Sequence, residues 1–258
     1  MTLEMGAPTT MANHMQAAIG LKHIHHAADV AESFSFESAF CPPGANGVVG
    51  GTSGERSTLK TAQGTYILHM PIGVCGLITP WNWPMNQVTL KVAYALAAGC
   101  TTILKPSEFA PLSASVFAEA VHASGFPRGV FNLVHGDGLV AGSSLAAHPE
   151  VDMVSFTGSK AGGVAVSKAA ADTVKRVSLE LGGKGPNLIF QDVEDLERTV
   201  RAGVEEMMCN SGQSCNAPSR MLVQRTIYEE ALRIAAAAVS DIKVRQYDVL
   251  FDEHFLVP

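Results

Sequence analysis

The sequence predicts an α/β fold: a doubly wound, mostly parallel sheet with helices on both faces, followed by the start of a second α/β unit. Three observations carry that expectation. Short apolar runs of strand length alternate with segments of helical period along most of the chain. The connections between them are short and punctuated by Gly and Pro, as parallel crossovers allow. Apolar residues make up 47% of the 258 positions and charged residues 16%, the balance of a chain that buries a sizeable core.

The elements follow in order. Residues 1–30, rich in Ala, Met and His, read as helix. His23, His25 and His26 stand close together on it, but no carboxylate or Cys follows at ligand spacing, so exposed imidazoles are expected there rather than a metal site. "CPPGANGVVGGTSG" (41–54) is loop chemistry, and "STLKTAQGTYILHM" (57–70) reads as one or two strands around Gln63-Gly64. "IGVCGLIT" is a buried strand, followed by the turn "PWNWP". A helix from about Met85 to Ala98 turns Met85, Val88, Val92 and Leu96 inward and stops at Gly99. "TTILKP" is the second strand. Pro111 opens a helix with Leu112, Val116 and Ala120 on its apolar side, closed by Gly125-Phe126-Pro127. "GVFNLVHG" is a third strand, residues 140–147 a helix, "DMVSFTG" a fourth strand and "SKAGGVAVSKAAA" a helix. After "RVSLELGGKGPNLIF" (176–190) come a helix from Asp195 to about Met208, the loop "NSGQSC", strand "SRMLVQR" and helix "IYEEALRIAAAAV". The boundary between the two units is expected near Gly182-Gly183.

Composition excludes several classes. The net charge is −6 and Lys and Arg form no basic stripe, so no nucleic-acid partner is expected. The N-terminus lacks a basic region followed by an apolar run, and no stretch reaches the ~20 apolar residues of a membrane span. A cytoplasmic protein with no membrane partner is expected. Five cysteines, Cys41, Cys75, Cys100, Cys209 and Cys215, are an odd number without framework spacing, which suits free thiols. Neither CxxC nor HExxH occurs, so no metal is expected.

In doubly wound sheets ligands bind beyond the carboxyl ends of the strands, so the turns there carry the chemistry. Asn82, held between two tryptophans, could donate to a developing oxyanion or simply form the turn. Lys105 and Glu108 lie where a nucleotide would cross the sheet edge, and a carboxylate there accepts ribose hydroxyls and repels a 2′-phosphate; a surface ion pair is the plainer reading. Gly158 and Ser159, entering a helix, suit a phosphate, although Gly158, Gly162 and Gly163 do not form GxGxxG. Glu180, between Leu179 and Leu181 before a Gly pair, could have a raised pKa and act as a general base, or stand exposed at a strand end. Cys215 ends a run of small and polar residues with little to bury, the setting of an accessible nucleophile.

Taken in order, "PIGVCGLITPWNWP", "ILKPSE", "GFPRGVFNLVHGDG", "FTGS", "LELGGKGPN" and "NSGQSC" resemble the NAD(P)-dependent aldehyde dehydrogenase superfamily, from about "LEMGAP" to "SDIKV". The resemblance implies that Cys215 attacks an aldehyde, that Asn82 and the Cys215 amide hold the oxyanion, that Glu180 activates water and that Lys91 joins a proton relay. Ile78, Thr79, Pro80, Trp81, Lys105, Ser107, Glu108, Gly138, Phe156, Thr157, Gly158, Ser159, Gly163, Leu181 and Gly182 would hold the cofactor. That cofactor would be NAD, with NADP possible. Residues 1–181 correspond to a Rossmann-like NAD-binding domain, with about 55–70 an arm like the family's oligomerisation region. Residues 182–258 correspond to the start of a catalytic domain.

Departures from the pattern are Gly185, where a small polar residue or Ala is usual, and Met208, where an aromatic residue is common. Family members are about twice this long and homodimeric or homotetrameric. The resemblance therefore implies a truncated member, short of its N-terminal helices and most of its catalytic domain, and as such an inactive fragment is one expectation. "RQYDVLFDEHFLVP" (245–258) is atypical and reads like a shifted frame. Two other readings stay open: a CoA-acylating relative, disfavoured by Glu180, and a non-catalytic remnant that binds a nucleotide or a subunit.

Overall fold

The computed structural model describes residues 1–39 and 66–243. The expected loop at 41–54, the turn at Gln63-Gly64, Cys41 and the segment 245–258 lie outside them.

The N-terminal helix is not continuous. Helix α1 (Thr2–Met5) ends at Gly6, whose φ of 75° is left-handed, and Pro8 precedes α2 (Thr9–Met11). A π-type turn over Ala12–Ala17 then leads into α3 (Ala18–Ser33). Helix α3 lies along α4 (Pro84–Ala97). His23 Nε2 bonds Asn86 Oδ1 at 2.8 Å and His26 Nδ1 bonds the Tyr94 hydroxyl at 2.8 Å, so two of the three histidines tie helices together.

Strand β1 (Glu37–Ala39), not foreseen in the sequence, pairs antiparallel with β2 (Tyr66–Leu68). The main sheet comprises β3 (Val74–Ile78), β4 (Thr101–Lys105), β5 (Phe131–Leu133), β6 (Met153–Gly158) and β7 (Arg176–Leu181). All its pairings are parallel and the order is β5-β4-β3-β6-β7. The winding reverses between β3 and β6, which opens a crevice at their carboxyl ends.

Helices α4 and α5 (Leu112–Ala123) cover one face, where Leu77 and Leu104 of the strands meet Val88, Val92, Ala114 and Phe117. On the other face lie α6 (Ser143–Ala147), which continues a π-type turn over Gly138–Gly142, and α7 (Lys160–Ala170). There Ile78 and Val154 meet Ala146 and Val166. The apolar side of α5 differs from expectation: Ala114, Phe117 and Val121 face inward, while Leu112 and Val116 are exposed. The Phe117 ring decides it, because it meets Phe131 of the edge strand edge-on, with centroids 5.7 Å apart.

The five-stranded sheet ends at Leu181, and a separate parallel pair begins with β8 (Pro186–Ile189) beside β9 (Arg220–Val223). Helices α8 (Leu196–Met208) and α9 (Tyr228–Asp241) cover it, with Ile189, Val200 and Ala231 at the centre. Asp195 caps α8 by accepting from the Arg198 amide at 2.9 Å. Among the described residues no helix is long and apolar enough to cross a membrane.

Candidate active site

A cavity of about 540 Å³ opens at the carboxyl ends of β3 and β6. Four segments line it: Pro80–Asn82 after β3, Thr157–Lys160 at the end of β6, Gly182–Lys184 after β7, and Gly212–Cys215. The winding reversal places the first two side by side, and the loop between α8 and β9 closes over them.

That loop is bent sharply. Asn210 (φ 54°), Ser211 (φ 58°) and Gly212 (φ 74°) are successive left-handed residues, a conformation that only glycine adopts without cost. Hydrogen bonds hold it. Asn82 Nδ2 donates to the Gln213 carbonyl at 2.9 Å, and Asn210 Nδ2 donates to the Asn82 carbonyl at 2.8 Å. Gln213 Nε2 returns to the Asn210 carbonyl at 3.0 Å, and the Trp83 indole donates to Ser214 Oγ at 2.7 Å. Gly185 sits tightly beneath, where a Cβ would lie 2.9 Å from the Ala217 carbonyl oxygen.

Accessibility separates the thiols. Of the four cysteines among the described residues, Cys215 alone is exposed, and it lines the cavity with Asn82. Cys75 and Cys100 are core residues. Burial, with Cys100 alongside, pushes the Cys75 thiol up to about 12. Burial also raises the half-buried Cys209, with Glu206 adding to it. Neither would supply thiolate near neutral pH.

Glu180 and Lys91 sit apart from the cavity lining. Glu180 pairs in register with Thr157, which does line it, so both share the face that carries α4. Strand alternation turns Leu179 and Leu181 to the opposite face, so the leucines do not bury the carboxylate as their adjacency suggested; Glu180 is exposed. Lys91, on α4, donates to Ser155 Oγ at 2.6 Å. Burial lowers its pKa to about 8, with Glu180 opposing the shift.

The nucleotide-like residues fall into two groups. At the end of β4, the buried Lys105 ammonium meets Glu108 Oε2 at 3.1 Å, and Gly138 N reaches Glu108 Oε1 at 3.4 Å. Glu108's own amide, with Lys105, holds its carboxyl below the usual range despite some burial. Ser107 beside them is buried, its Oγ accepting from the Phe109 amide at 3.3 Å. A second cavity of about 280 Å³ adjoins Lys105, between Ile103, Val134 and Leu145.

At the start of α7, Ser159 Oγ accepts from Gly162 N at 3.0 Å, which leaves the first amides of the helix free toward the cavity. Gly158 and Gly162 are small for a reason besides ligand approach: a Cβ at either would lie 2.6 Å from the Phe156 ring, and one at Gly163 would lie 2.8 Å from Leu181. Behind the cavity, the buried hydroxyls of Thr79 and Thr157 have no hydrogen-bond partner among the described residues. Ile78 packs into the core on the opposite face of the sheet, with Ala146, Val154 and Val166.

The structure thus brings Asn82, Cys215, Pro80, Trp81, Thr157, Gly158, Ser159 and Gly182 to one cavity. It sets Lys105, Ser107, Glu108 and Gly138 at the neighbouring strand end, and Lys91 and Glu180 on the α4 face. Sequence reasoning did not single out Asn210, Trp83 or Gln87, which lines the cavity from α4. Only the tolerance of Asn for a left-handed φ hinted at the first.

The model of the aldehyde dehydrogenase family matches residues 1–252. The chain is 51% identical over 244 residues to a 3-succinoylsemialdehyde-pyridine dehydrogenase from a Pseudomonas species, covering 94% of this chain and 46% of that relative. It is similar to the crystal structure of an aldehyde dehydrogenase from Bartonella henselae (TM-score 0.81, 47% identity, 93% of this chain and 46% of that one). It is also similar to an aldehyde dehydrogenase C mutant from Pseudomonas syringae complexed with NAD+ and octanal (TM-score 0.82, 46% identity, 93% and 45%). The chain spans about half the length of the curated relatives it matches.

Proposed function

The chain belongs to the aldehyde dehydrogenase family, and on that premise we propose that it oxidises an aldehyde to a carboxylic acid with NAD, by way of a thiohemiacetal and then a thioester on Cys215. The observation that carries this reading is the exposed Cys215 sulfur sharing one cavity with the Asn82 carboxamide at the winding reversal of the sheet.

The residues present fit NAD. The free amides at the start of α7 with Ser159 suit the pyrophosphate. Lys105 and Glu108, with Ser107 and Gly138 beside them, suit a ribose diol. NAD, when bound, accepts the hydride that takes the aldehyde carbon to the acid level. A solved relative complexed with NAD+ and octanal supports the assignment.

The chain's own groups supply the rest. Cys215 adds to the carbonyl carbon as thiolate, and the developing oxyanion receives the second hydrogen of Asn82 Nδ2, whose first is committed to Gln213. Glu180 takes the proton of the water that cleaves the thioester. Lys91, with a pKa near neutrality, passes protons along the α4 face toward Ser155. Residues 1–181 form the cofactor unit in this reading, and the catalytic unit starts at 182.

The test is NADH formation by the purified chain, and by a form extended to the relatives' length, with octanal, betaine aldehyde and 3-succinoylsemialdehyde-pyridine. Replacing the nucleophile in Cys215→Ser lowers the rate by about 10³-fold or more, and Asn82→Ala lowers it by about 10²–10³-fold. Aldehyde-dependent NADH that survives Cys215→Ser overturns the assignment.

A further inference from the structure

The cavity joins two segments some 130 positions apart in the chain, and two of the side chains that hold them together, Asn210 and Trp83, touch no reacting atom in the mechanism above. The Asn82-Trp83 turn belongs to the five-stranded sheet, and the 210–215 loop belongs to the β8–β9 unit. Three hydrogen bonds cross between them: Asn82 Nδ2 to the Gln213 carbonyl (2.9 Å), Asn210 Nδ2 to the Asn82 carbonyl (2.8 Å), and the Trp83 indole to Ser214 Oγ (2.7 Å). A fourth, from Gln213 Nε2 to the Asn210 carbonyl (3.0 Å), stiffens the loop itself.

Asn210 is the hub. It is buried, its carboxamide also reaches the Gln213 carbonyl at 3.3 Å, and it holds a left-handed φ next to a second non-glycine residue that does the same. A loop with two strained non-glycine residues in succession relaxes unless its surroundings over-determine it. Here the surroundings are the turn that carries the oxyanion donor. Ser214, on the end of the clasp, is covalently next to Cys215.

We propose that Asn210, assisted by the Trp83–Ser214 bond, is a positioning residue: it clasps the nucleophile loop to the Asn82 turn and so fixes the Cys215 sulfur relative to the Asn82 amide. The clasp rests on the reading of Cys215 as nucleophile for its catalytic meaning, but not for its existence.

Two variants isolate it. Asn210→Gly keeps a residue at ease with the left-handed φ and removes only the carboxamide. Trp83→Phe keeps the ring and removes the indole donor. Hydrogen exchange on peptides covering 80–84 and 210–216 reads the clasp without turnover. Alkylation of Cys215 by iodoacetamide across pH, mapped by mass spectrometry, reads its effect on the sulfur. Each variant is expected to speed exchange of the 210–216 peptide at least about ten-fold, leave peptides of β3, β4 and β6 unchanged, and change the alkylation rate at least about three-fold.

Unchanged exchange, a rise that spreads through the sheet, or an unaltered alkylation rate overturns the clasp. Failure of the functional reading shows elsewhere, as NADH formation in Cys215→Ser, and leaves these measurements standing.

Discussion

At the scale of single residues, surroundings set protonation, and Lys91 makes the clearest prediction. Its ammonium is desolvated between α4 and the sheet, which takes its pKa from 10.5 to about 8. The unfolded chain therefore binds this proton more tightly than the folded one. The lysine costs stability below pH 8, and the cost disappears as pH rises from 8 toward 10.5. The size is about 3 kcal/mol. Urea unfolding of Lys91→Met beside the unaltered chain is expected to show a stability difference that shifts by about that much between pH 7 and pH 10.5. A pH-independent difference would mean the amine is not desolvated. The candidate residues were legible in the sequence wherever chemistry is local, as at Asn82, Cys215 and Ser159. Glu180 was legible by position and not by environment, since sequence neighbours in a strand face opposite sides of the sheet. Asn210 and Trp83 stayed hidden because their meaning lies in partners about 130 residues away.

At the scale of elements, the alternation of short apolar runs with helical segments located the five strands, because a glycine or proline closes each of them. What the pattern could not supply was orientation and long-range support. The inward face of α5 follows the largest ring and not the stripe of Leu112 and Val116, and β1 is a strand because β2 pairs with it. The start of α5 shows the same dependence. Pro111 offers its N-terminus no side-chain cap, and Glu4, from α1, accepts from the amides of Leu112 (2.7 Å) and Ser113 (3.1 Å) and from the Ser113 hydroxyl. Burial alone would raise the Glu4 pKa. The bonds from Ser113, with the α-amino group nearby, reverse that and leave it lowered from 4.5. Its contribution is thus present above pH 4.5 and is lost as pH falls through the lower folded value. Glu4→Gln is expected to cost about 1–2 kcal/mol at pH 7, with the difference from the unaltered chain narrowing under acid. Circular dichroism of urea unfolding at pH 7 and pH 3 checks it, and an equal cost at both would remove the charge from the explanation.

At the scale of the whole molecule, the question is which surfaces the described residues leave without cover. The β1–β2 ribbon has two strands, and β2 exposes Tyr66, Ile67 and Leu68 in succession, so neither face of that strand is buried. Phe34, Phe36 and Met70 flank it, with Met70 75% exposed and the two phenylalanine rings meeting edge to face, centroids 4.9 Å apart. A two-stranded ribbon is marginal in water on its own. An apolar one offers both a sheet edge and a sticky face, which in soluble proteins marks a surface that another chain covers. The larger cavity is built elsewhere: its walls come from the five-stranded sheet and the 210–215 loop, and no described residue of the ribbon lines it. Association and site assembly should therefore separate. Sedimentation velocity at about ten micromolar is expected to find the chain as dimers or larger. The double substitution Tyr66→Lys and Leu68→Lys, which places charge on the ribbon, is expected to return it to monomer. Iodoacetamide labelling of Cys215 should proceed at the same rate in both forms, because the clasp that holds its loop is internal to one chain. A charged ribbon that still associates would move the contact to another face, such as Leu188 and Leu222 on the outer side of the β8–β9 pair, paired in register and both exposed.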